Sequence, residues 1–348
     1  VKDYETRGYL SAIEGAKYLG ITVSTLHNYV RQGKVRTTVS ASGQQRFDLA
    51  DLRELAEAQP QGEKRDRPKV PVENVLDING TVQRILVKDA ASMGDIADDS
   101  VHLMITSPPY FNAKLYSREP VEGDLGNIHD INDWFENISM VWAEVYRVLQ
   151  PGRKAFINIM NLPVRTEQGF RSLNLVGRTI DVMEGIGFIF KRDIVWHKTN
   201  AVRAHFGSYP YPGGILINNM HEFIVEFDKP ARKGYRKYTH VTKEQREQSK
   251  LDKEFWLSIK NSDVWVMHPE KSGDGRSHVA PFPIELPLRL IKAFTYVGET
   301  ILDPFVGSGT TLLAAARLAR NGIGYEIVPS IARTALTRVS NIQLDLGV

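Results

Sequence analysis

The sequence predicts an α/β protein built on a doubly wound, mostly parallel sheet, with a small helical module ahead of it. Three observations carry this expectation. Apolar strand-like runs alternate with longer helical patterns at residues 101–106 (VHLMIT), 155–159 (AFINI), 194–197 (IVWH), 223–227 (FIVEF), 300–302 (TIL) and 322–327 (GIGYEI). A glycine turn, Gly307-Ser308-Gly309, joins one of these strands to the helical pattern that follows. Residues 59–72 are polar, charged and punctuated by proline, dividing the 348-residue chain into a module at 1–58, a linker at 59–72 and a large domain at 73–348.

Composition narrows the function classes. Hydrophobic residues make up 42% and charged residues 24%, so disorder, collagen and coiled coil are poor readings. A net charge of +3 permits an anionic partner without requiring one. With no cysteine, the chain has no disulfides, cysteine-based zinc sites, iron–sulfur clusters or cysteine nucleophiles, and no metal site is expected. No apolar run approaches the ~18 residues of a membrane span, and no signal-peptide pattern opens the chain. A cytoplasmic protein without a membrane partner is expected.

In the N-terminal module, Ser11 is placed to cap a helix presenting Ile13, Ala16 and Leu19. Gly20 turns the chain, and Ser24 caps a second helix through Leu26 and Val30. Gly33 ends it, and residues 35–47 suit a hairpin with Gly43 at its tip. Between Lys17 and Arg46 lie five basic residues (Lys17, Arg31, Lys34, Arg36 and Arg46) and no acidic one. The pattern is a helix-turn-helix with a wing, whose groove-facing residues would be Thr25, His27, Asn28 and Arg31, with Arg46 on the wing. It resembles the MerR/excisionase-type winged helix-turn-helix, including the wing end Gly43-Gln44-Gln45-Arg46-Phe47. A small helical dimerisation domain is the alternative.

In the large domain, residues 101–106 run into Ser107-Pro108-Pro109-Tyr110. The prolines fix an extended backbone and donate no N–H, so their carbonyls are free to accept. Ser107 adds an accepting hydroxyl and Tyr110 a flat face for stacking. At the carboxyl end of a strand, this group suits a planar ring bearing an NH₂. A rigid polyproline turn is the plain alternative.

The glycine loop reads Asp303-Pro304-Phe305-Val306-Gly307-Ser308-Gly309-Thr310-Thr311. It lacks the lysine of a P-loop and the third glycine of a dinucleotide loop, which disfavours phosphate. Glu326 lies ~20 positions on, where an acid can accept from both hydroxyls of a ribose. A nucleoside carrying a carboxylate fits these parts, and S-adenosyl-L-methionine is such a ligand. Between residues 229 and 253 a basic run includes Arg232, Lys233, Arg236 and Lys237 with Tyr235 and Tyr238 interleaved. That composition suits a phosphate-contacting surface, or simply a solvated face.

TSPPY followed by DPFVGSGTT resembles the DNA amino-methyltransferases that act on cytosine N4 or adenine N6, in the β-group order with the catalytic motif ahead of the cofactor loop. Residues 86–89 (LVKD), 193–198 (DIVWHK) and 278–286 (HVAPFPIEL) match further elements of that family, and the resemblance covers about residues 73–348. It implies a Rossmann-like methyltransferase that uses S-adenosyl-L-methionine and double-stranded DNA. Site residues carry over by motif: Ser107, Pro108, Pro109 and Tyr110 for catalysis, and Asp303, Phe305, Gly307, Gly309, Thr310 and Glu326 for methionine and ribose. Asp89 would accept from the adenine amine, Phe305 would pack on its ring, and His278, Pro281 and Phe282 would line the methionine end. The target base would be flipped from the duplex. Serine at the first motif position resembles the N4-cytosine members. N6-adenine is the alternative base, and a DNA-binding regulator with an inert domain is the alternative function. Residues 199–275 are the expected target-recognition region, and a cognate restriction endonuclease is a candidate partner.

Overall fold

Every strand of the central sheet has at least one apolar face to bury, and the computed structural model shows how each is covered. It describes residues 8–19, 23–39, 45–58, 73–111, 123–167, 169–199, 217, 219–269 and 282–342. The expectations for Gly20, Gly43, the 59–72 linker, His278 and Pro281, and for 200–216, 218 and 270–275, lie outside those residues.

At the N-terminus, Ser11 Oγ accepts from Glu14 N at 3.3 Å while the Glu14 carboxylate accepts from Ser11 N at 2.9 Å. This reciprocal cap satisfies donors that a helix start leaves open. The elements are β1 (Tyr9–Leu10), α1 (Ala12–Leu19), α2 (Val23–Arg31), β2 (Thr37–Val39), β3 (Gln45–Asp48) and α3 (Leu49–Ala58). The strands form an antiparallel sheet ordered β1-β3-β2. Leu10, Ala16, Leu26, Phe47 and Leu52 close a small core between sheet and helices.

The large sheet begins with a hairpin of β4 (Glu73–Ile78) and β5 (Thr81–Leu86), followed by β6 (Val101–Thr106). Next come α4 (Ile131–Val148), β7 (Leu149–Ile159), the separate hairpin β8 (Leu162–Thr166) and β9 (Gly169–Leu173), α5 (Leu175–Ile186), β10 (Ile189–Lys198) and β11 (His221–Asp228). The chain continues through α6 (Lys243–Gln248), α7 (Lys253–Lys260), β12 (Val264–Met267), α8 (Glu285–Phe294), β13 (Thr300–Asp303), α9 (Thr310–Arg317), β14 (Asn321–Tyr325) and α10 (Pro329–Ser340). The order is β12-β10-β11-β7-β6-β13-β14-β5-β4, and only β4 and β11 run against the others.

Side chains alternate across this sheet. Leu103 and Ile105 pack with Phe156, α8 residues Leu286, Leu290 and Ile291, and Ala314 of α9. Met104, between them, packs on the other face with Ala155, Ile157, Trp142 of α4 and Met183 of α5. With helices on both faces, the central strands read as continuous apolar runs, which is why they are visible in sequence. From β6 the chain crosses through α4 to β7, whereas from β13 it crosses through α9 to β14 in the opposite lateral direction. The neighbours β6 and β13 therefore flank a topological switch point, whose carboxyl end is where open α/β sheets bind ligands.

The antiparallel β11 relocates the basic run. Its start faces the carboxyl end of β7, with Phe223 opposite Ile159, and its end faces the beginning of β7, with Asp228 opposite Lys154. The chain after Asp228 thus lies at the end of the sheet remote from the switch-point crevice. Gly152 N donates to Lys229 O at 2.8 Å, and Lys237 Nζ donates to Gly152 O at 2.9 Å. Arg232, Lys233, Arg236 and Lys237, expected to contact DNA, are not among the residues that line the crevice.

Helix α2 is likewise engaged. His27 Nε2 lies 2.9 Å from Glu136 Oε2, and Arg31 Nη2 donates to Asp133 Oδ2 at 3.0 Å, both acids belonging to α4. Met140 of α4 packs on the small N-terminal core. His27 and Arg31, expected to face a DNA groove, face the large domain because an acidic stripe on α4 complements them. Arg46 is half-buried on β3, opposite Thr38.

Candidate active site

The carboxyl ends of β5, β6, β13 and β14 enclose a cavity of about 350 Å³. From β6 it takes Ser107, Pro108, Pro109 and Tyr110, and after β5 it takes Lys88 and Asp89. The glycine loop contributes Asp303, Phe305, Gly307, Ser308 and Thr310, and Glu326 follows β14. Phe282 and Asp124 complete that part of the wall. Residues from both predicted motifs and both acids thus converge, although 196 positions separate Ser107 from Asp303.

Asp303 organises the loop from beneath. It is buried; its Oδ1 accepts from Thr106 Oγ1 at 2.6 Å and Phe305 N at 3.0 Å, and its Oδ2 accepts from Thr311 Oγ1 at 2.6 Å. Burial pushes its pKa up to about 6 against the pull of those donors. Gly307 and Gly309 adopt left-handed φ of 50° and 88°. Gly309 does not line the cavity: a Cβ there would lie 3.2 Å from the Ala335 Cα of α10. Its role is close helix packing, which corrects its expected place in the cofactor wall. Arg338 of α10 donates to Ser308 Oγ at 2.6 Å and fastens the loop from outside, a contact that sequence reasoning missed.

Glu326, just after β14, is an acid on the cavity wall. Burial pushes its pKa up to about 7, opposed by the N–H groups of Val328 and Gly307. Val328 N donates to Glu326 Oε1 at 2.9 Å. Asp89 is also raised by burial, while Ala91 N donates to its Oδ1 at 2.8 Å. Phe305 offers an aromatic wall, held edge-on by Trp142 with ring centroids 5.9 Å apart.

Beyond Tyr110 the cavity continues over Met160, Leu162, Lys198 and Glu222. Glu222 was not singled out from sequence. It sits in the strand HEFIVEFD, where an acid among buried apolar residues was the available signal. Its Oε2 accepts from Tyr110 Oη at 2.7 Å and Asn158 Nδ2 at 2.6 Å, and its Oε1 pairs with Lys198 Nζ. Among the described residues no helix is long and apolar enough to cross a membrane.

Comparison with known proteins places this geometry. A DNA methylase family model, N6_N4_Mtase, matches residues 101–337. The type II methyltransferase M.MjaI of Methanocaldococcus jannaschii is 34% identical over 308 residues, spanning 78% of this chain and 96% of its own length. M.MthZI of Methanothermobacter thermautotrophicus, also a type II methyltransferase, is 31% identical over 71% of this chain and 73% of its own. A Thermus thermophilus protein assigned as a DNA modification methylase, solved with S-adenosyl-L-methionine, superposes with a TM-score of 0.59 at 34% identity, covering 73% of this chain and 92% of its own. The cytosine-N4-specific PvuII methyltransferase shares the fold, with a TM-score of 0.53 at 18% identity over 74% of this chain and 86% of its own. The family match includes the Ser107–Tyr110 segment, the glycine loop and Glu326, and the chain belongs to the N6/N4 DNA methylase family.

Proposed function

We propose that this chain is a site-specific DNA methyltransferase that transfers the methyl group of S-adenosyl-L-methionine to the N4 amine of a cytosine flipped out of duplex DNA. Ser107 carries the choice of base: a small hydroxyl at the first motif position, on the wall between the glycine loop and Tyr110. The cofactor fits the other half of the cavity. The Glu326 carboxylate would accept from the ribose hydroxyls, Asp89 from the adenine amine, and Phe305 would pack on the adenine ring. Asp303 would support the methionine end through the loop it organises, with Gly307, Thr310 and Phe282 beside it. When bound, S-adenosyl-L-methionine supplies an electrophilic methyl on a sulfonium.

The chain's own residues make the amine reactive. An exocyclic amine is a poor nucleophile because its lone pair is delocalised into the ring. Ser107 Oγ and the Pro108 carbonyl would accept its two hydrogens, favour a pyramidal nitrogen and direct the lone pair. Pro109 keeps that backbone extended, and Tyr110 stacks on the base. Catalysis is then alignment and local electrostatics, with no covalent intermediate. Flipping follows from access, since a stacked and paired base hides its amine.

The N-terminal helices and hairpin read best as a winged helix-turn-helix that extends the DNA footprint, with the helix carrying Thr25 and Asn28 and the wing carrying Arg46. A cognate restriction endonuclease reading the same sequence fits an enzyme of this kind. The test is nucleoside mass spectrometry of unmethylated DNA treated with the protein and isotopically labelled cofactor. Labelled N4-methylcytosine is expected. Labelled N6-methyladenine would overturn the base, and no label in any DNA would favour the inert-regulator reading.

A further inference from the structure

Glu222 lies outside both recognised motifs, yet it joins three elements at the far side of the cavity. It is 7% exposed and stands at the beginning of β11, opposite Trp196 of β10. Its partners come from three places: Tyr110 from the segment after β6, Asn158 from near the end of β7, and Lys198 from the end of β10. Asn158 is itself buried, and its Oδ1 has no hydrogen-bond partner among the described residues. The Asn158 side-chain amide is therefore oriented by Glu222.

The antiparallel course of β11 makes this junction possible. Were it parallel, its first residues would lie at the opposite end of β7. As built, a carboxylate is delivered to the floor beside Tyr110. Burying a carboxylate is costly unless it is paired and fully hydrogen-bonded, and this one has both kinds of partner. Removing it would leave an ammonium, a phenol and an amide short of an acceptor at once.

We propose that Glu222 is a positioning residue for the target base. It fixes the Tyr110 ring at the angle on which the base stacks, and it holds the Lys198 ammonium at the cavity wall as a donor facing the ring acceptors next to the reacting amine. This rests on the reading of the Ser107–Tyr110 half of the cavity as the base pocket. Glu222 touches neither the amine nor the cofactor. It acts through Tyr110 and Lys198, so its loss affects the methyl-transfer step and spares the cofactor half.

The experiment compares the full-length wild type with Glu222→Gln, Tyr110→Phe and the double variant. The readouts are kcat and KM for a methylatable duplex, cofactor affinity by calorimetry, and fluorescence of a 2-aminopurine placed at the target position. Glu222→Gln keeps the shape but removes the charge, which weakens the charge-assisted hydrogen bond from Tyr110 as well as the hold on Lys198. It is expected to lower kcat about 10- to 100-fold, the scale on which a misplaced reacting group loses rate, while cofactor affinity stays within about twofold. Tyr110→Phe deletes only the hydroxyl and is expected to give a smaller loss, with a brighter, less stacked 2-aminopurine signal. If the two residues act through one hydrogen bond, the double variant loses less than the product of the single losses. Unchanged kcat in Glu222→Gln, or losses that multiply fully in the double variant, would overturn the proposal. Should Glu222→Gln fail to fold, Tyr110→Phe with wild-type kcat and 2-aminopurine fluorescence would overturn it equally. A wild-type protein that methylates no DNA would instead refute the underlying reading of the base pocket.

Discussion

Thr106 Oγ1 donates to Asp303 Oδ1 at 2.6 Å, joining the last residue of β6 to the last residue of β13 across the switch point. This hydrogen bond extends the β6–β13 pairing to the ends of both strands, where the segment that would present the amine meets the loop that would present the cofactor. Asp303 also holds Phe305 N and Thr311 Oγ1, so three donors depend on it.

Asp303→Ala should therefore destabilise the fold as well as weaken cofactor binding. Leaving buried donors unpaired costs about 1–3 kcal/mol each, partly relieved by relaxation and by removing a carboxyl that burial disfavours, so a net loss of about 2–4 kcal/mol is expected. Asp303→Asn retains one accepting oxygen and should lose less. Urea unfolding followed by circular dichroism measures both, and an unchanged midpoint for Asp303→Ala would contradict the organising role.

Glu326 should make cofactor affinity depend on pH. Its pKa is raised to about 7 by burial, and a ribose diol donates to the ionised form. Affinity should therefore rise as pH increases through that value, by roughly 10-fold between pH 6 and 8, and binding below it should release a proton. The folded protein binds this proton more tightly than the unfolded chain. Cofactor-free stability from this group is thus fully present below the ordinary value of 4.5 and falls as pH rises to about 7. Glu326→Gln should raise the melting temperature of the cofactor-free protein at pH 8 while flattening the affinity profile. Calorimetry and differential scanning fluorimetry at both pH values provide the check.

Ser107→Ala should separate binding from chemistry. It removes one acceptor from the amine and leaves Glu326, Asp89 and the glycine loop in place. Cofactor affinity should stay within about twofold, and single-turnover methyl transfer should slow about 100-fold, the usual scale for one preorganised hydrogen bond at a reacting centre. Transfer at the wild-type rate would remove Ser107 from the mechanism.

The contact between the N-terminal module and the large domain should loosen in mild base. A hydrogen bond to Glu136 raises the His27 pKa above 6.5, with burial and Arg31 pulling it down and Asp133 assisting. The contribution of the charged pair is fully present below 6.5 and is lost as pH rises through the raised value. Hydrogen exchange of α2 and α4 should accordingly speed up between pH 6 and 8 after correction for intrinsic rates. His27→Gln should abolish that difference, and equal protection at both pH values in the wild type would discount the pair.

The chain's local patterns determined the strands and the loop. Residues 101–106 are β6 to the residue, and the 155–159, 194–197, 223–227 and 300–302 runs fall inside β7, β10, β11 and β13. A strand buried on both faces must be apolar throughout, and a turn with left-handed backbone calls for glycine, so both leave their mark within a few residues. Ser107–Tyr110 and Asp303–Thr310 were legible for the same reason, and Glu326 through its spacing from the loop. What tertiary structure alone decided is relative placement. The reversal of β11 carries Glu222 to the cavity and Arg232–Lys237 to the opposite end of the sheet, and no local pattern encodes strand order. The acidic stripe on α4 pairs with His27 and Arg31, although 109 positions separate His27 from Glu136. Gly309 resembled a cofactor contact in sequence and is a packing contact in space, because α10, two elements further on, folds back against it. Short-range sterics fix the elements, and long-range burial and charge pairing choose which of their side chains meet.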